Sequence, residues 1–238
     1  MRIEISNLNF RYRDNPPLFQ DVNLSIPLQK WVAITGNSGS GKTSLAKLIS
    51  GLIKPESGRI VFQRNEFPRN EFPRNEIPNS RVHFGYLFQN PDDQFVHFNI
   101  EREVAFNLEN RNVDPAVMKE KVKLSLTEIG LLRRKSDSPN NLSGGEKQRL
   151  ALAGMMISQP DVLVLDEPCA FLDIFTQIQL YQKIDELRKK KVSILWITQE
   201  DHEIKMADYV IHLDEGRVIF TGSSEDYIKY FGMSDGKA

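Results

Sequence analysis

Gly36, Asn37, Ser38, Gly39, Ser40, Gly41, Lys42, Thr43 and Ser44 complete a G-x-x-x-x-G-K-[ST] loop, and the two flanks of that loop restrict the fold. The apolar run from Trp31 to Thr35 enters as a buried strand. Leu45, Ala46, Leu48 and Ile49 leave at helical spacing, and Gly51 closes the helix. A strand, a glycine loop and a helix in this order gather backbone N–H groups and the positive end of a helix dipole around one anion. In that setting Lys42 reaches β- and γ-phosphates and the Thr43 hydroxyl serves Mg²⁺. A glycine-rich turn without a ligand is the plainer alternative.

Composition fits a nucleotide-binding domain. With 238 residues, 40% of them hydrophobic, the chain can bury one substantial core without needing a second full domain. Lysine and arginine total 31 against 32 acids, so a formal net charge of −1 argues against broad attraction to nucleic acid or anionic lipid. Cys169 is the single cysteine, which excludes an internal disulfide and suits a reducing compartment. No run approaches the ~18 apolar residues of a membrane span, and Met1 to Ile5 lacks a signal-peptide apolar region. Any membrane role is expected to be peripheral, through a protein partner.

Ile3-Glu4-Ile5, Phe10-Arg11-Tyr12, Val22 to Ile26 and Arg59 to Phe62 alternate like strands with one buried face, predicting an antiparallel β element in the front third. The middle reads as helix, from Asn99 to about Glu109 and from Pro115 to Ile129, with Asp114 as cap and Gly130 as stop. Asp161 to Asp166 and Val192 to Thr198 are strand-length apolar runs, separated by a helical stretch from Ile174 to about Lys190. Alternating strands and helices predict a largely parallel, doubly covered sheet. Arg64 to Pro78 is three tandem copies of a five-residue unit ending in proline, which fits neither the helix nor the strand period. An exposed, extended insertion is expected there, as a tolerated expansion or as a docking tongue carrying Phe67 and Phe72.

Two further constellations carry chemistry. Asp166 and Glu167 close the run Val162-Leu163-Val164-Leu165 at the carboxyl end of a buried strand, where open α/β sheets bind their ligands. Asp166 suits a Mg²⁺ and Glu167 suits the water that attacks a γ-phosphate, although acids capping a strand are also common without function. Ser143, Gly144 and Gly145 open a second helix in the string Asn141 to Leu150, and form a second anion-binding terminus.

Leu142-Ser143-Gly144-Gly145-Glu146-Lys147-Gln148-Arg149 resembles the signature of ATP-binding cassette (ABC) ATPases, and the order of phosphate loop, glutamine loop, signature and acidic strand is similar to that superfamily over nearly the whole chain. The resemblance implies a P-loop NTPase with a RecA-like α/β core, an antiparallel β subdomain and an α-helical signature subdomain. It implies one cassette over 1–238, with core and β subdomain from 1–89 and 160–222, the 64–78 repeat inserted, the signature subdomain at 90–159, and a C-terminal helix and tail at 223–238. ATP and Mg²⁺ are the implied cofactors. Two ATP molecules would be sandwiched in a dimer, each between the phosphate loop of one subunit and the signature of the other. By the same resemblance Tyr12 stacks on adenine, with Phe10 as competing candidate and strand packing as the alternative. Gln89 touches Mg²⁺ in the glutamine loop, and Asp173 contacts the second subunit. Ala170-Phe171-Leu172 replaces the commoner Ser-Ala-Leu before Asp173, which leaves the polarity of that contact open.

Tyr86 to Val96, together with Glu103 to Asn110, resembles the ATPase subunits of energy-coupling factor transporters for cobalt, nickel and vitamins. This implies a second ATPase subunit, identical or different, with a membrane coupling protein and a substrate-binding membrane protein at the cytoplasmic face of the membrane. It implies no nucleic acid partner. Residues 86 to 110 are expected to form a groove for a coupling helix, and ordinary core packing of Phe88, Phe95 and Phe106 is the alternative. Gln199 stands where cassette ATPases carry a switch histidine; it can donate a neutral hydrogen bond to a γ-phosphate but cannot carry charge. Slow hydrolysis at this chain's own phosphate loop is expected, with His202 either compensating or lying on a helix surface. Two other function classes stay open: a soluble cassette ATPase acting on a macromolecular assembly, and a poorly hydrolysing regulatory ATP binder.

Overall fold

Asn7 holds a left-handed backbone (φ 51°) in the middle of the first strand, and this kink decides how the front of the chain buries its apolar residues. Before it, Ile3 and Ile5 point inward at odd positions; after it, Leu8 and Phe10 point inward at even ones. Only an extra residue can switch that parity, and the pairing with the second strand shifts between Ile5 and Leu8. The Asn7 N–H donates to Asn23 Oδ1 at 3.0 Å, and its side-chain amide donates to Asp21 Oδ1 at 2.8 Å.

The computed structural model describes residues 1–63 and 82–232; the tandem repeat at 64–78 and the tail after 232 lie outside the described residues. In chain order the elements are β1 (Arg2–Phe10), β2 (Phe19–Pro27), β3 (Trp31–Thr35), α1 (Lys42–Ile49), β4 (Ser57–Gln63) and β5 (Phe84–Leu87). There follow α2 (Ile100–Glu109), α3 (Pro115–Glu128), α4 (Gly144–Met156), β6 (Val162–Asp166), α5 (Ile174–Lys189) and β7 (Ser193–Ile197). The chain ends with α6 (Asp201–Met206), β8 (Tyr209–Asp214), β9 (Arg217–Gly222) and α7 (Ser224–Phe231).

Two compact units share these elements. The first comprises Met1–His83, Val162–Val164 and Leu187 onward; the second comprises Phe84–Asp161 and Leu165–Glu186. In the first unit β1 lies between β2 and β4 in an antiparallel sheet, as the alternation predicts. The expected strand Phe10-Arg11-Tyr12 is corrected: β1 stops at Phe10, because the Tyr12 carbonyl accepts the Asn15 N–H at 3.0 Å and the chain turns there. A second sheet places β3 parallel to β7 on one side and to β8 on the other, with β9 antiparallel to β8. Every residue of β3 and β7 is buried, as apolar runs of that length require in a sheet covered on both faces. Ile34 pairs with Ile197, so β3 and β7 finish at the same edge.

The β8–β9 hairpin is absent from the sequence expectations. Its tip is Glu215-Gly216, both at positive φ, with Asp214 paired directly to Arg217. That is the two-residue primed turn whose twist suits a hairpin.

In the second unit Asn99 caps α2, Asp114 caps α3 and Ser143 caps α4, each accepting backbone N–H groups of the first turn. Ile100, Val104, Leu108, Val122, Leu126, Leu131, Leu142 and Leu150 form the helical core. Their spacing on α2 and α3 is the periodicity that marked these helices in the sequence.

Candidate functional site

The phosphate loop leaves β3 after Thr35 and closes at Lys42, the first residue of α1. A Cβ at Gly36 would lie 1.9 Å from the Leu213 carbonyl oxygen, so this glycine is demanded by the close approach of β8. Asn37, Ser38 and Gly39 are exposed at the crest, while Ser40 is buried beneath them. The Gly216 N–H donates to the Ser40 carbonyl at 3.1 Å, so the β8–β9 hairpin braces the loop from below. Lys42 folds back over its own loop: Nζ donates to the carbonyls of Gly36 at 2.8 Å and Asn37 at 2.9 Å. Gly41 precedes α1 at the cap position and offers no side-chain acceptor to the first N–H groups of the helix. Thr43 is half-buried in that first turn.

Tyr12 and Phe10 separate in the structure. Phe10 is 6% exposed and belongs to the core, whereas Tyr12 is 41% exposed. Their rings meet edge-on at 4.9 Å, and the Tyr12 hydroxyl shares a hydrogen bond with Ser44 Oγ at 3.0 Å. The exposed ring is therefore anchored to the helix that follows the phosphate loop. Gln199 is exposed, one residue beyond Thr198, whose N–H donates to the Ile34 carbonyl at 3.1 Å. Gln199 and the phosphate loop thus leave neighbouring strands at one edge of the first unit's sheet. His202 is exposed on the first turn of α6.

The second unit carries the acids and the signature. Asp166 is buried, and its Oδ2 accepts from the Tyr86 hydroxyl at 3.4 Å. Glu167 follows with a left-handed backbone (φ 47°), a conformation that a residue with a Cβ holds only when its surroundings impose it. Gln89 Nε2 donates to Glu167 Oε2 at 2.8 Å. Ser143 and Glu146 close a capping box at the start of α4, and Arg134 reaches Glu146 at 2.9 Å. The Ser143 backbone N–H, followed by Arg134, holds the Glu146 carboxyl below the usual glutamate range. Asp173 caps α5, accepting from the Thr176 N–H at 3.0 Å and the Thr176 hydroxyl at 2.9 Å; these bonds lower its pKa.

A family model described as ABC transporter matches residues 19–170. The energy-coupling factor transporter ATP-binding protein EcfA1 of Staphylococcus epidermidis is 38% identical over 95% of this chain and 83% of its own length. This chain belongs to the ABC transporter family. The energy-coupling factor transporter ATP-binding protein EcfA of Methanosarcina acetivorans is 32% identical over 98% of the chain and 85% of its own. The solved structure of cbiO1 from Clostridium perfringens, part of the ABC transporter complex cbiONQ, matches with a TM-score of 0.76 at 30% identity, covering 95% of this chain and 90% of that one. The chain is accordingly an ATP-binding cassette ATPase of transport, with the P-loop NTPase fold that its motifs predict. Among the described residues no helix is long and apolar enough to cross a membrane.

Some residues that shape this ABC ATPase were not singled out from sequence. Gln94 bridges the glutamine loop, its Oε1 accepting from the Phe88 N–H and its Nε2 donating to the Tyr86 carbonyl, both at 3.1 Å. Tyr86, whose hydroxyl donates to Asp166, carries no sequence mark beyond its place in the stretch Tyr86 to Val96. Neither has a local sequence signal, because both partners lie on a neighbouring turn or strand.

Proposed function

We propose that this chain is the ATP-hydrolysing subunit of an energy-coupling factor importer, one of two ATPase subunits at the cytoplasmic face of the membrane. In this reading it attaches through a membrane coupling protein, which also holds a substrate-binding membrane protein for a metal ion or vitamin. The relatives named above support the placement. The observation that carries hydrolysis, beyond binding alone, is the Gln89–Glu167 hydrogen bond, which sets a carboxylate beside an amide that can follow the nucleotide.

Lys42 and the first turn of α1 hold the β- and γ-phosphates, and Tyr12 carries the adenine. Thr43 of the first unit, and Gln89 and Asp166 of the second, are the residues that would hold Mg²⁺. This donor set is all oxygen, as a hard cation requires, since Gln89 uses its amide nitrogen on Glu167 and retains its carbonyl oxygen. When bound, Mg²⁺ neutralises charge on the phosphates. Glu167 accepts the proton of the attacking water as the new oxygen–phosphorus bond forms and the bond to the ADP oxygen breaks. Gln199 donates a neutral hydrogen bond to a γ-phosphate oxygen.

The signature of this chain serves the ATP held by the second ATPase subunit. Among the described residues a Cβ at Gly144 or Gly145 would meet nothing closer than 3.8 Å, so the start of α4 leaves room for a ligand to approach its backbone. Phe98, 92% exposed, and Val96, 59% exposed, lie in the segment between β5 and α2 proposed to receive the coupling helix. Purifying the subunit from its native membrane tests the assignment. Small hydrophobic membrane proteins and a second ATPase subunit are expected to copurify with Mg²⁺-dependent ATP hydrolysis. A nucleic acid or ribosomal partner in their place would overturn it.

A further inference from the structure

Gln148 lies in the middle of α4 and is fully buried, with 0% of its surface exposed. Its Nε2 donates to the Pro168 carbonyl at 2.8 Å, while its Oε1 has no hydrogen-bond partner among the described residues. Its one side-chain hydrogen bond is thus spent on the turn that follows Glu167. Pro168 follows Glu167, whose left-handed backbone needs a constraint. Two hydrogen bonds define the turn: Gln148 to the Pro168 carbonyl, and the Ala170 N–H to the Glu167 carbonyl at 3.2 Å.

A second connection reaches the same carboxylate from the other side. Lys147, next to Gln148, pairs with Asp92 in the short turn after Gln89, and Gln89 holds Glu167 Oε2. The helix capped by Ser143 therefore reaches the residue after Glu167 directly, and reaches the short turn after Gln89, the partner of the Glu167 carboxylate, through Lys147. From Ser143 to Gln148 the distance along the helix axis is about 7 Å, so a shift of the N-terminus is transmitted without intervening loops.

We propose that Gln148 is a positioning residue that ties the aim of Glu167 to the state of the signature in the same chain, so that engaging the signature sets the catalytic glutamate of this subunit. The inference rests on the ATPase reading given above. It provides a route by which occupancy of one nucleotide site in the pair is felt at the other.

The test is a double-mutant cycle in the intact complex, with Gln148→Met, Glu167→Gln and both together. Gln148→Met keeps the length and volume of the side chain and removes the donor. It is expected to lower kcat for ATP by about tenfold to a hundredfold through misaimed chemistry, with KM unchanged within about twofold. In the Glu167→Gln background, read by single-turnover hydrolysis of labelled ATP, the same change is expected to have no further effect. Equal losses in both backgrounds, or a raised KM with kcat intact, would overturn the proposal. Should Gln148→Met fail to fold, Lys147→Met is put through the same cycle, and wild-type kcat in that variant is the overturning result. A wild-type complex that binds no ATP, or one in which Glu167→Gln changes nothing, would sink the ATPase reading and this inference with it, and is recognised before any Gln148 variant is made.

Discussion

The Gln89 amide nitrogen sits 2.8 Å from Glu167 Oε2, so the glutamine loop and the end of β6 meet at the carboxylate proposed as general base. Glu167→Gln keeps the shape and the hydrogen-bonding reach but removes the basic oxygen. Turnover is expected to fall by about 10²–10⁴-fold, the usual worth of general base catalysis, with ATP affinity retained. Gln89→Ala, which removes only the contact and one ligand of Mg²⁺, is expected to fall between that variant and wild type. Stopped-time phosphate release beside equilibrium nucleotide binding separates the two, and a Glu167→Gln variant with wild-type turnover would remove Glu167 from the chemistry.

The glycines of the phosphate loop are not equivalent. Gly36→Ala drives a methyl group to 1.9 Å from the Leu213 carbonyl, whereas at Gly39 nothing among the described residues lies within 4 Å and its left-handed φ of 80° is what resists. Gly39→Ala is expected to lower stability by about 1 kcal/mol and Gly36→Ala by about 3 kcal/mol or more. Urea melts of both variants measure this difference; equal midpoints would mean that β8 yields to the loop.

Much of this architecture could be read from residue order. The run Trp31 to Thr35, the cap Asp114 and the alternation of Ile3 and Ile5 each act within a few residues, and each appears in the structure at its expected place. What escaped is non-local. Leu213 requires Gly36 from β8, and Gln148 reaches Pro168 across 20 positions. Tyr12 and Phe10, indistinguishable as aromatic neighbours in a presumed strand, part only because β1 ends between them. The β8–β9 hairpin had a signal in Glu215-Gly216, but the mixed run Tyr209 to Asp214 lacks the uniform apolarity of β3 and β7.

His212 ties the C-terminal helix to the loop-bearing sheet. It pairs with Thr35 in register, its Nδ1 lies 2.7 Å from the Tyr227 hydroxyl, and its ring stacks on Phe231 at 4.8 Å. Burial first, and the Lys42 charge to a lesser degree, lower its pKa below the ordinary 6.5, against a raising effect of Asp214. The unfolded chain therefore binds a proton that the folded chain refuses in the interval between the two values. Stability is at its full value above about pH 6.5 and declines as pH falls through that interval to the folded pKa. His212→Gln is expected to flatten this part of the curve, so that melting temperatures of variant and wild type converge as pH falls from 7 to 5. Parallel curves would mean that His212 titrates alike in both states.

Gln199 is the residue proposed to set how fast this chain's own phosphate loop turns over. It leaves the sheet one residue after Thr198, which is buried and bonded to Ile34 on the loop-bearing strand, so a side chain at 199 is carried on a fixed stem. An amide there can donate a hydrogen bond to the γ-phosphate, yet it stays neutral while negative charge on the transferring group has to be stabilised. An imidazole at the same place can be charged, or can pass a proton, near neutral pH. Gln199→His in the native complex is therefore expected to raise kcat several-fold, with little change in KM, and to add to the pH–rate profile a limb near pH 6.5 that wild type lacks. If the second ATPase subunit differs from this one, the gain appears only in the fraction of turnover that depends on Lys42, which Lys42→Ala identifies. A Gln199→His complex that turns over at the wild-type rate, with the wild-type pH profile, would show that this site is not slowed by the missing imidazole.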